Sequence, residues 1–408
     1  MKLINMTENN FREFANINSY NNFGQSTEYS KLIRNADKRK LFFGLMNDND
    51  DVIAASLILI RHVSPIINIA IAPNGYIIDY NNHELVETFT NMLKERLLKE
   101  KVLYLITNPM FKYKVYNKYG VITENNEEAY NNLLANHYKS LGYYSEFEHY
   151  DVILDSNDSI EDIYKGFDRN TKRNIKDAMK LGVSIYKGNV GDLNEFYQIV
   201  KKKTPKKLSF YKDIMTNYQN NDNMAEIYFA KLNTETYLIN IKKLYEQVEI
   251  NNQRINAAFN KNTRKDKNHQ LNRKITADKT LDKCKNALND AIRLNQAYNG
   301  DIIIATCMII KNNHEIYFLA DGYKEEYRYI HATDILKWAI IRKYHALGYH
   351  RFNLGEVHKD YADKTSKYYR QYKAKIGFGG KVVEYTPNLT YIVNKPLYKL
   401  YKKKNHKN

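Results

Sequence analysis

Two stretches of the chain repeat one order of elements, and this repeat limits the possible folds more than any other feature. Residues 41–108 give three strands, an amphipathic helix and a fourth strand, and residues 225–357 give the same order. In the second helix, apolar residues recur at helical spacing, and Gly348 follows as a C-terminal stop signal. The repeat predicts two copies of one α/β unit.

An insertion interrupts the second copy at the point where the first has the short turn 47–51. Within 234–299, apolar residues recur at alternating steps of three and four, which predicts two antiparallel coiled-coil helices. The connection 261–274 carries six basic residues and one acidic residue. The residues at these steps in the first predicted helix are Leu238, Ile241, Tyr245, Val248, Asn252, Ile255 and Phe259. In the second they are Leu281, Cys284, Leu288, Ala291, Asn295 and Tyr298. A helical hairpin with a cationic tip is therefore expected.

A third region, 158–188, is predicted to form two helices that lead into a strand. Its second helix carries Arg169, Lys172, Arg173 and Lys176 about one helical turn apart. A row of cations on a helix is either a binding surface or an ordinary solvated face. The spacing alone leaves both interpretations open.

Composition narrows the class of protein. The 408 residues are 43% hydrophobic, enough for two or three packed domains. The apolar runs 52–60 and 302–310 are too short to cross a bilayer and suit buried strands. The start lacks the apolar core of a secretory signal, and the only two cysteines, Cys284 and Cys307, suit a reducing cytoplasm. The net charge of +17 favours a polyanionic partner such as nucleic acid, an anionic membrane face or a phosphorylated substrate, although AT-rich codon usage also enriches lysine.

Several motifs resemble those of the FemXAB aminoacyltransferases, which build the side-chain bridge of peptidoglycan. The segments are 169–183, 315–357, 372–401, the aromatic–Gln–Ser and Glu–aromatic motif in 21–33, and the loop 72–80. The resemblance therefore runs through nearly the whole chain. It implies a mixed α+β fold of two tandem acetyltransferase-like (GNAT) domains, with an antiparallel coiled-coil arm inserted in the second.

The resemblance also implies a division of the chain. The first GNAT-like domain is expected at residues 1–149 and the first part of the second at 150–233. The coiled-coil arm is expected at 234–299, and the rest of the second domain with a C-terminal tail at 300–408.

The implied reaction moves an amino acid from aminoacyl-tRNA to an amine on the stem peptide of a peptidoglycan precursor, in cell wall biogenesis and maintenance of cell shape. The implied partners are aminoacyl-tRNA and lipid II or a UDP-MurNAc-peptide, at a cytoplasmic site with peripheral association at the inner membrane face. No cofactor and no metal is expected, because 321–332 is acidic and bulky where a coenzyme A loop would lie, and the histidines lack ligand spacing. An enzyme with another acceptor, and a non-catalytic RNA- or partner-binding protein, remain alternatives.

Candidate substrate contacts follow from the resemblance. Tyr372 and Lys373 stand where the family has an aromatic–lysine pair near the tRNA acceptor end, so base stacking and phosphate binding are predicted. Lys375 would add charge, and Lys212 stands roughly where the family uses an arginine for the precursor's phosphates. For Tyr372, Lys373 and Lys375 the alternative is a packed tyrosine and solvated lysines on the sheet face. Sugar or nucleotide contacts are predicted for Tyr211 and Tyr317, for which packing in the core or on the surface is the alternative.

Two departures from the family's pattern bear on proton transfer. Asn74 stands where an arginine is common, and Asn108 stands where the family often carries an aspartate. Asparagine is not a general base, which leaves Glu384 as the predicted catalytic carboxylate alongside Lys373, with an ordinary exposed glutamate as the alternative. Neither cysteine lies in a nucleophile context, so the expected mechanism is direct attack by the substrate amine in a ternary complex.

Overall fold

The computed structural model describes residues 1–33, 38–142, 149–219, 224–261, 267–298, 300–312 and 315–405. Within these residues, the strands form one seven-stranded and one nine-stranded mixed sheet. In chain order the strands are β1 (Lys2–Asn5), β2 (Lys38–Met46), β3 (Val52–Ser64), β4 (Ile67–Ala72), β5 (Val102–Thr107), β6 (Lys114–Tyr116), β7 (Ile122–Asn125), β8 (Lys139–Gly142), β9 (Tyr150–Asp155), β10 (Val183–Lys187), β11 (Ala225–Asn233), β12 (Asp301–Lys311), β13 (Glu315–Tyr323), β14 (Arg351–Glu356), β15 (Lys381–Glu384) and β16 (Asn388–Ile392).

The described residues also form thirteen α-helices. No helix in this part of the chain has both the length and the apolar content needed to span a bilayer. The helices are α1 (Glu8–Ile17), α2 (Thr27–Leu32), α3 (His83–Lys99), α4 (Glu127–Ala135), α5 (Ile160–Gly166), α6 (Arg169–Lys180), α7 (Leu193–Val200), α8 (Leu208–Gln219), α9 (Thr234–Asn260), α10 (Lys267–Ala297), α11 (Ala332–His345), α12 (Tyr369–Ile376) and α13 (Lys395–Asn405).

The predicted repeat is present in the structure. The elements β2, β3, β4, α3 and β5 follow one another in the first sheet, and β11, β12, β13, α11 and β14 do so in the second. In both copies the first three strands are antiparallel neighbours, and the strand after the helix pairs in parallel with the third. The helix supplies the crossover that a parallel pair requires.

The two long apolar runs form central strands. Residues 54–60 of β3 and 304–310 of β12 are buried without interruption. A strand that is buried at every position is covered on both faces of its sheet, which explains why these sequences do not alternate between apolar and polar residues.

The two sheets exchange strands. The late strand β16 pairs with β5 and β8 in the seven-stranded sheet. The early strand β6 pairs with β15 and β7 in the nine-stranded sheet. Both sheets therefore take strands from both sides of residue 150, and the division into 1–149, 150–233, 234–299 and 300–408 stays a prediction.

The insertion forms a helical arm, as predicted. β11 leads directly into α9, where the side chain of Asn233 caps the helix by accepting a hydrogen bond from the Thr236 amide at 2.9 Å. α9 packs along α10, with Tyr237, Ile241 and Asn252 buried on α9 and Ala277, Cys284 and Ala291 buried on α10. Residues 262–266 of the predicted cationic tip lie outside the described residues. Coiled-coil packing of the heptads stays a prediction.

Candidate functional site

A cavity of about 2170 Å³ is lined by residues of both sheets and their connecting loops. Pockets that hold one small ligand usually measure about 300–1,000 Å³. The cavity therefore has room for more than one ligand at a time.

The second sheet splits at this cavity. β13 pairs with β14 only as far as Tyr317 and Asn353, although both strands continue. In the first sheet, the corresponding strands β4 and β5 stay paired to their last residues, Ala72 and Thr107. Strands that separate leave backbone N–H and C=O groups facing the gap, where a ligand can bind them.

Lys375 of α12 reaches the gap between these strands. Its Nζ donates a hydrogen bond to the backbone oxygen of Glu356 at 2.7 Å. This Nζ lies 3.1 Å from the point that a Cβ on Gly355 would occupy, and the same point is 3.3 Å from the backbone oxygen of Phe318. Gly355 also has a φ of 88°, so both the space and the backbone favour glycine.

The surroundings of Lys375 change its acidity. Burial, and after it the positive charge of Lys337, lower the pKa of Lys375 to about 8, while the carboxylates of Asp321 and Asp151 oppose the change. An ammonium with this pKa is mostly charged at pH 7 and loses its proton just above that pH.

Three ammonium groups lie around one half-buried carboxylate, Asp321, on this wall. Lys337 on α11 forms an ion pair with Asp321 on β13, with Nζ and Oδ2 3.2 Å apart. Burial would raise the pKa of Asp321, but Lys337 and Lys375 lower it. Lys203 lies with its Nζ 3.4 Å from the centre of the Tyr323 ring, and burial lowers its pKa. These four charged side chains together therefore carry a net positive charge.

Asp151 on β9 is a buried carboxylate in the cavity wall, and the sequence analysis did not identify it. Its Oδ2 accepts hydrogen bonds from the Asn353 amide at 2.7 Å and from the Tyr385 hydroxyl at 3.1 Å. Burial raises the pKa of Asp151 despite the bond from Asn353. A raised pKa makes a carboxylate a better proton acceptor near neutral pH.

The start of α11 forms another part of the wall. His331 precedes the helix in the left-handed conformation, with a φ of 57°, and its side chain makes no capping bond. A non-glycine residue in this conformation often marks a functional site. Asp334 in the first turn accepts a hydrogen bond from the Asn174 amide at 2.7 Å, and burial raises its pKa.

The loops of the first sheet close the opposite wall. Asn74 has a φ of 56°, and its backbone N–H donates to Oδ1 of Asn108 at 2.8 Å. The Asn108 amide donates in turn to Oδ1 of Asn74 at 3.2 Å, and Asn22 donates to the Asn74 backbone oxygen at 3.2 Å. The two residues that depart from the family's pattern therefore bind each other. Asn108 holds the loop in shape, whereas an aspartate would lack the amide donor.

Four of the seven predicted site residues line the cavity: Tyr211, Tyr317, Lys373 and Lys375. Lys373 has a side chain that is 45% exposed, and its Nζ lies 3.3 Å from Oδ2 of Asp168. Tyr211 is almost fully buried and donates a hydrogen bond to Thr204 Oγ1 at 3.0 Å. Tyr317 is half-buried. The structure thus brings together two of the predicted charged residues, Lys373 and Lys375, and two of the predicted aromatic residues.

Tyr372 and Lys212 are outside the lining of this cavity in the described part of the chain. Tyr372 is 4% exposed, packs against the Tyr361 ring at 5.0 Å and donates a hydrogen bond to the backbone oxygen of Lys118. This placement gives no support to the stacking of a base on Tyr372. Lys212 is exposed on α8. The predicted substrate roles of both residues stay predictions.

Glu384 is also absent from the described cavity lining. It is 8% exposed and accepts hydrogen bonds from the hydroxyls of Tyr116 and Tyr150. Glu384 is therefore not the ordinary exposed glutamate of the alternative interpretation. Its role as a catalytic carboxylate stays a prediction.

Both cysteines are buried, Cys284 in the arm and Cys307 in β12. Burial raises the pKa of each thiol, which disfavours the reactive thiolate. Across the residues that the structure describes, no group of three or more His, Cys, Asp or Glu side chains is placed to hold a metal ion.

Comparisons with known proteins agree with this architecture. The model of the FemAB family matches residues 6–405. The aminoacyltransferase FemA of Staphylococcus epidermidis is 26% identical over 421 aligned positions, which cover 98% of each chain. The FemA of Staphylococcus aureus is 25% identical over 416 positions, covering 98% of this chain and 97% of the relative.

A crystal structure of FemX has the same fold. It superposes with a TM-score of 0.74 at 17% identity, covering 98% of this chain and 99% of that one. The predicted mixed α+β architecture of two repeated units with an inserted helical arm is confirmed, because it is the fold of FemX. Because the family model spans nearly the whole sequence, the chain belongs to the FemAB family.

Proposed function

We propose that this chain transfers an aminoacyl group from aminoacyl-tRNA to an amine on the stem peptide of a peptidoglycan precursor. Family membership and the similarity to FemA make the chain an aminoacyltransferase, with a general role in forming peptidoglycan bridges. The aminoacyl-tRNA donor and the lipid II or UDP-MurNAc-peptide acceptor are the finer parts of the proposal. The observation that carries it is the buried cation Lys375 at the split between β13 and β14.

The cavity suits a reaction between two bound substrates. Its volume of about 2170 Å³ exceeds what one small ligand fills. Holding an ester and an amine in contact converts a bimolecular reaction into one within a complex, which removes much of its entropic barrier. No covalent enzyme intermediate is needed, and the two buried cysteines take no part.

Lys375 stabilises the charge that develops during transfer. The amine nitrogen forms a bond to the ester carbonyl carbon, and the carbonyl oxygen becomes an oxyanion next to the ammonium group. The carbon–oxygen bond to the tRNA ribose then breaks, and the ribose oxygen takes up a proton. Because Lys375 is buried, its charge acts at low dielectric and moves little during the reaction.

Asp151 is the proposed acceptor of the proton that the amine loses. It lines the cavity, and its pKa is raised by burial. Its neighbours Asn353 and Tyr385 donate hydrogen bonds to it and fix its position. Glu384, which Tyr116 and Tyr150 contact, is the second candidate.

Phosphate groups bind at the rim of the cavity in this proposal. Lys373, Lys367 and Arg370 line it from α12 and the segment before it, and Lys203 and Arg328 line it elsewhere. Both proposed substrates carry phosphates, so the net charge of +17 also favours their binding. A cytoplasmic location and contact with the inner membrane face complete the proposal, because lipid II is held in that membrane.

A transfer assay tests the proposed function. The purified protein is incubated with a mixed pool of charged tRNAs and with a lipid-linked or nucleotide-linked muropeptide, and the product mass is read. We expect a gain of one or more amino acid residues. The variant Lys373→Ala should slow transfer about tenfold or more at an unchanged melting temperature, since a charge-assisted contact is lost. Lys99→Ala, which removes an exposed lysine on α3, is the matched control.

The outcomes separate the alternatives. Equal rates for wild type and Lys373→Ala would remove the substrate role of that lysine. Transfer to another amine only would favour an enzyme with a different acceptor. Binding of both substrates without transfer would favour the non-catalytic alternative.

A further inference from the structure

Exposed hydrophobic side chains are concentrated at the tip of the hairpin formed by β6 and β7. Tyr119 is 78% exposed, Val121 58% and Ile122 47%. They lie within four consecutive residues at the edge of the nine-stranded sheet, where β7 is exposed along its length. Large apolar side chains that are grouped and uncovered mark an interaction surface more often than single ones do.

The tip is well structured. Oδ1 of Asn117 accepts hydrogen bonds from the backbone amides of Tyr119 at 2.9 Å and Val121 at 3.1 Å. The amide of Gly120, whose φ is 77°, donates to the backbone oxygen of Asn117 at 2.9 Å. The turn therefore holds the hydrophobic side chains outward in a fixed arrangement, and their exposure is not the result of a loose loop.

The hairpin lies beside the cavity. β6 pairs with β15, and the Lys118 backbone oxygen near the tip accepts a hydrogen bond from Tyr372 of α12. The same helix carries Arg370 and Lys373, which line the cavity. Lys112, just before β6, also lines it. Whatever the tip binds is therefore held close to the rim of the site.

Basic residues accompany the apolar tip. Lys114 and Lys118 belong to the segment 113–125, in which Glu124 is the only acidic residue. Lys112, just before this segment, is paired with Asp155, with Nζ and Oδ2 3.0 Å apart. Glu124 is itself paired with Lys381, whose Nζ lies 3.4 Å from its Oε1. The surface thus combines an aromatic residue, two aliphatic residues and an excess of lysine.

We propose that this hairpin tip docks the protein on an anionic membrane surface and so presents the cavity to a lipid-linked acceptor, an inference that rests on the proposed function. Tyrosine favours the bilayer interface, aliphatic side chains enter the boundary of the acyl chains, and lysines bind anionic headgroups. Three side chains give weak and reversible binding, which suits an enzyme that must move between substrates.

Vesicle binding tests the proposal. The full-length protein is sedimented with vesicles of phosphatidylglycerol and phosphatidylcholine at low salt, and with vesicles of phosphatidylcholine alone. We expect binding to the anionic vesicles, and about a tenfold or larger loss in partition coefficient for the triple variant Tyr119→Ser, Val121→Ser, Ile122→Ser. The matched control is Val63→Ser with Ile66→Ser, at the turn between β3 and β4, where these residues are 44% and 63% exposed.

A second readout separates this inference from the proposed function. Transfer to a nucleotide-linked acceptor in solution should be the same in the triple variant and wild type, which also shows that the variant is folded. Transfer to a lipid-linked acceptor in vesicles should fall with the partition coefficient. If the wild-type protein transfers to neither acceptor, the proposed function is wrong. Vesicle binding of the wild-type protein and the triple variant still tests whether the hairpin tip docks on a membrane.

Two results would overturn the docking surface: unchanged vesicle binding of the triple variant, and an equal loss of binding in the control. If vesicle binding is unchanged while the oligomeric mass of the triple variant changes, the tip is instead a contact with a second copy of this chain.

Discussion

Lys375 is the side chain on which the proposed chemistry depends most. It is buried, donates to the Glu356 backbone oxygen and has a pKa lowered to about 8 by burial and by Lys337. A cation kept in such a place at neutral pH interacts strongly with any negative charge that forms beside it.

The variant Lys375→Met should reveal this charge through the pH dependence of transfer. At pH 7 we expect the rate to fall about a hundredfold, as when an oxyanion contact is removed. The ratio of wild-type to variant rate should then decrease as the pH rises through about 8, because wild type loses its own charge there. Single-turnover rates between pH 6 and 9.5 measure the ratio.

The control for this experiment is Lys99→Met on α3, which should leave the ratio near one at every pH. A ratio that increases with pH would contradict the prediction and make Lys375 a proton acceptor.

The pH dependence of the free energy of unfolding gives an independent check on the pKa of Lys375. The unfolded chain regains the ordinary lysine pKa of 10.5 and binds more protons between pH 8 and 10.5, so wild type should gain stability relative to Lys375→Met over that range.

The sequence located Lys375 but not Asp151, and the reason is physical. Lys375 belongs to a short motif in 372–380 that the family resemblance covers. Asp151 is a candidate only because β9 pairs with both β14 and β15, which brings Asn353 and Tyr385 to its carboxylate. Residues that are 202 and 234 positions apart in sequence carry no local signal for such a cluster.

At the scale of elements, periodicity predicted the helices and strands of both units well. It did not predict where strands separate. The sequence of β13 continues as a strand beyond Tyr317, and the gap appears because pairing with β14 ends there while the β14–β9 ladder shifts register after Asn353. A strand sequence specifies its own conformation more strongly than the extent of its pairing.

Replacing basic residues of the arm by glutamine tests whether the arm binds tRNA. The variant Lys261→Gln, Lys267→Gln, Arg273→Gln removes three exposed cations of the predicted tip 261–274. If the tip binds tRNA phosphates, the Kd should rise at low salt, and the slope of log K against log salt should become shallower by up to about 2–3. Filter binding at several salt concentrations measures both.

A second triple variant, on α10, is the control. Lys279→Gln, Lys283→Gln, Lys285→Gln removes the same charge from exposed positions nearer the body of the protein. Equal effects of the two variants would show that only net charge matters. An unchanged Kd for the tip variant at low salt would exclude the tip as the docking site.

At the scale of the whole molecule, the exchanged strands make the folding of each sheet depend on the other half of the chain. The seven-stranded sheet needs β16, and the nine-stranded sheet needs β6 and β7. The repeat in the sequence predicted two units, but it contained no signal for this exchange, because β6 and β16 are short segments whose partners are far away along the chain.

A fragment of residues 1–149 tests this dependence. Without β16, the strand β5 keeps only β4 as a neighbour and leaves its other row of backbone N–H and C=O groups unpaired, so we expect the fragment to show no cooperative thermal transition. Circular dichroism on heating measures this. Addition of a peptide of residues 386–405, which carries β16 and α13, should restore part of the native signal, whereas a scrambled peptide should not. A cooperative transition of the fragment alone would support the predicted boundary after residue 149.

The pairing of β16 with β5 also determines when the seven-stranded sheet can be completed during synthesis of the chain. A ribosome makes the strands β1 to β5 early, but β16 leaves it after all the other strands described here. The growing chain must therefore carry an unfinished sheet, with an open edge at β5, while the whole second unit is synthesised. We therefore expect nascent-chain chaperones to bind at the open edge of β5. The seven-stranded sheet, whose strands are synthesised first, is complete only when β16 has left the ribosome.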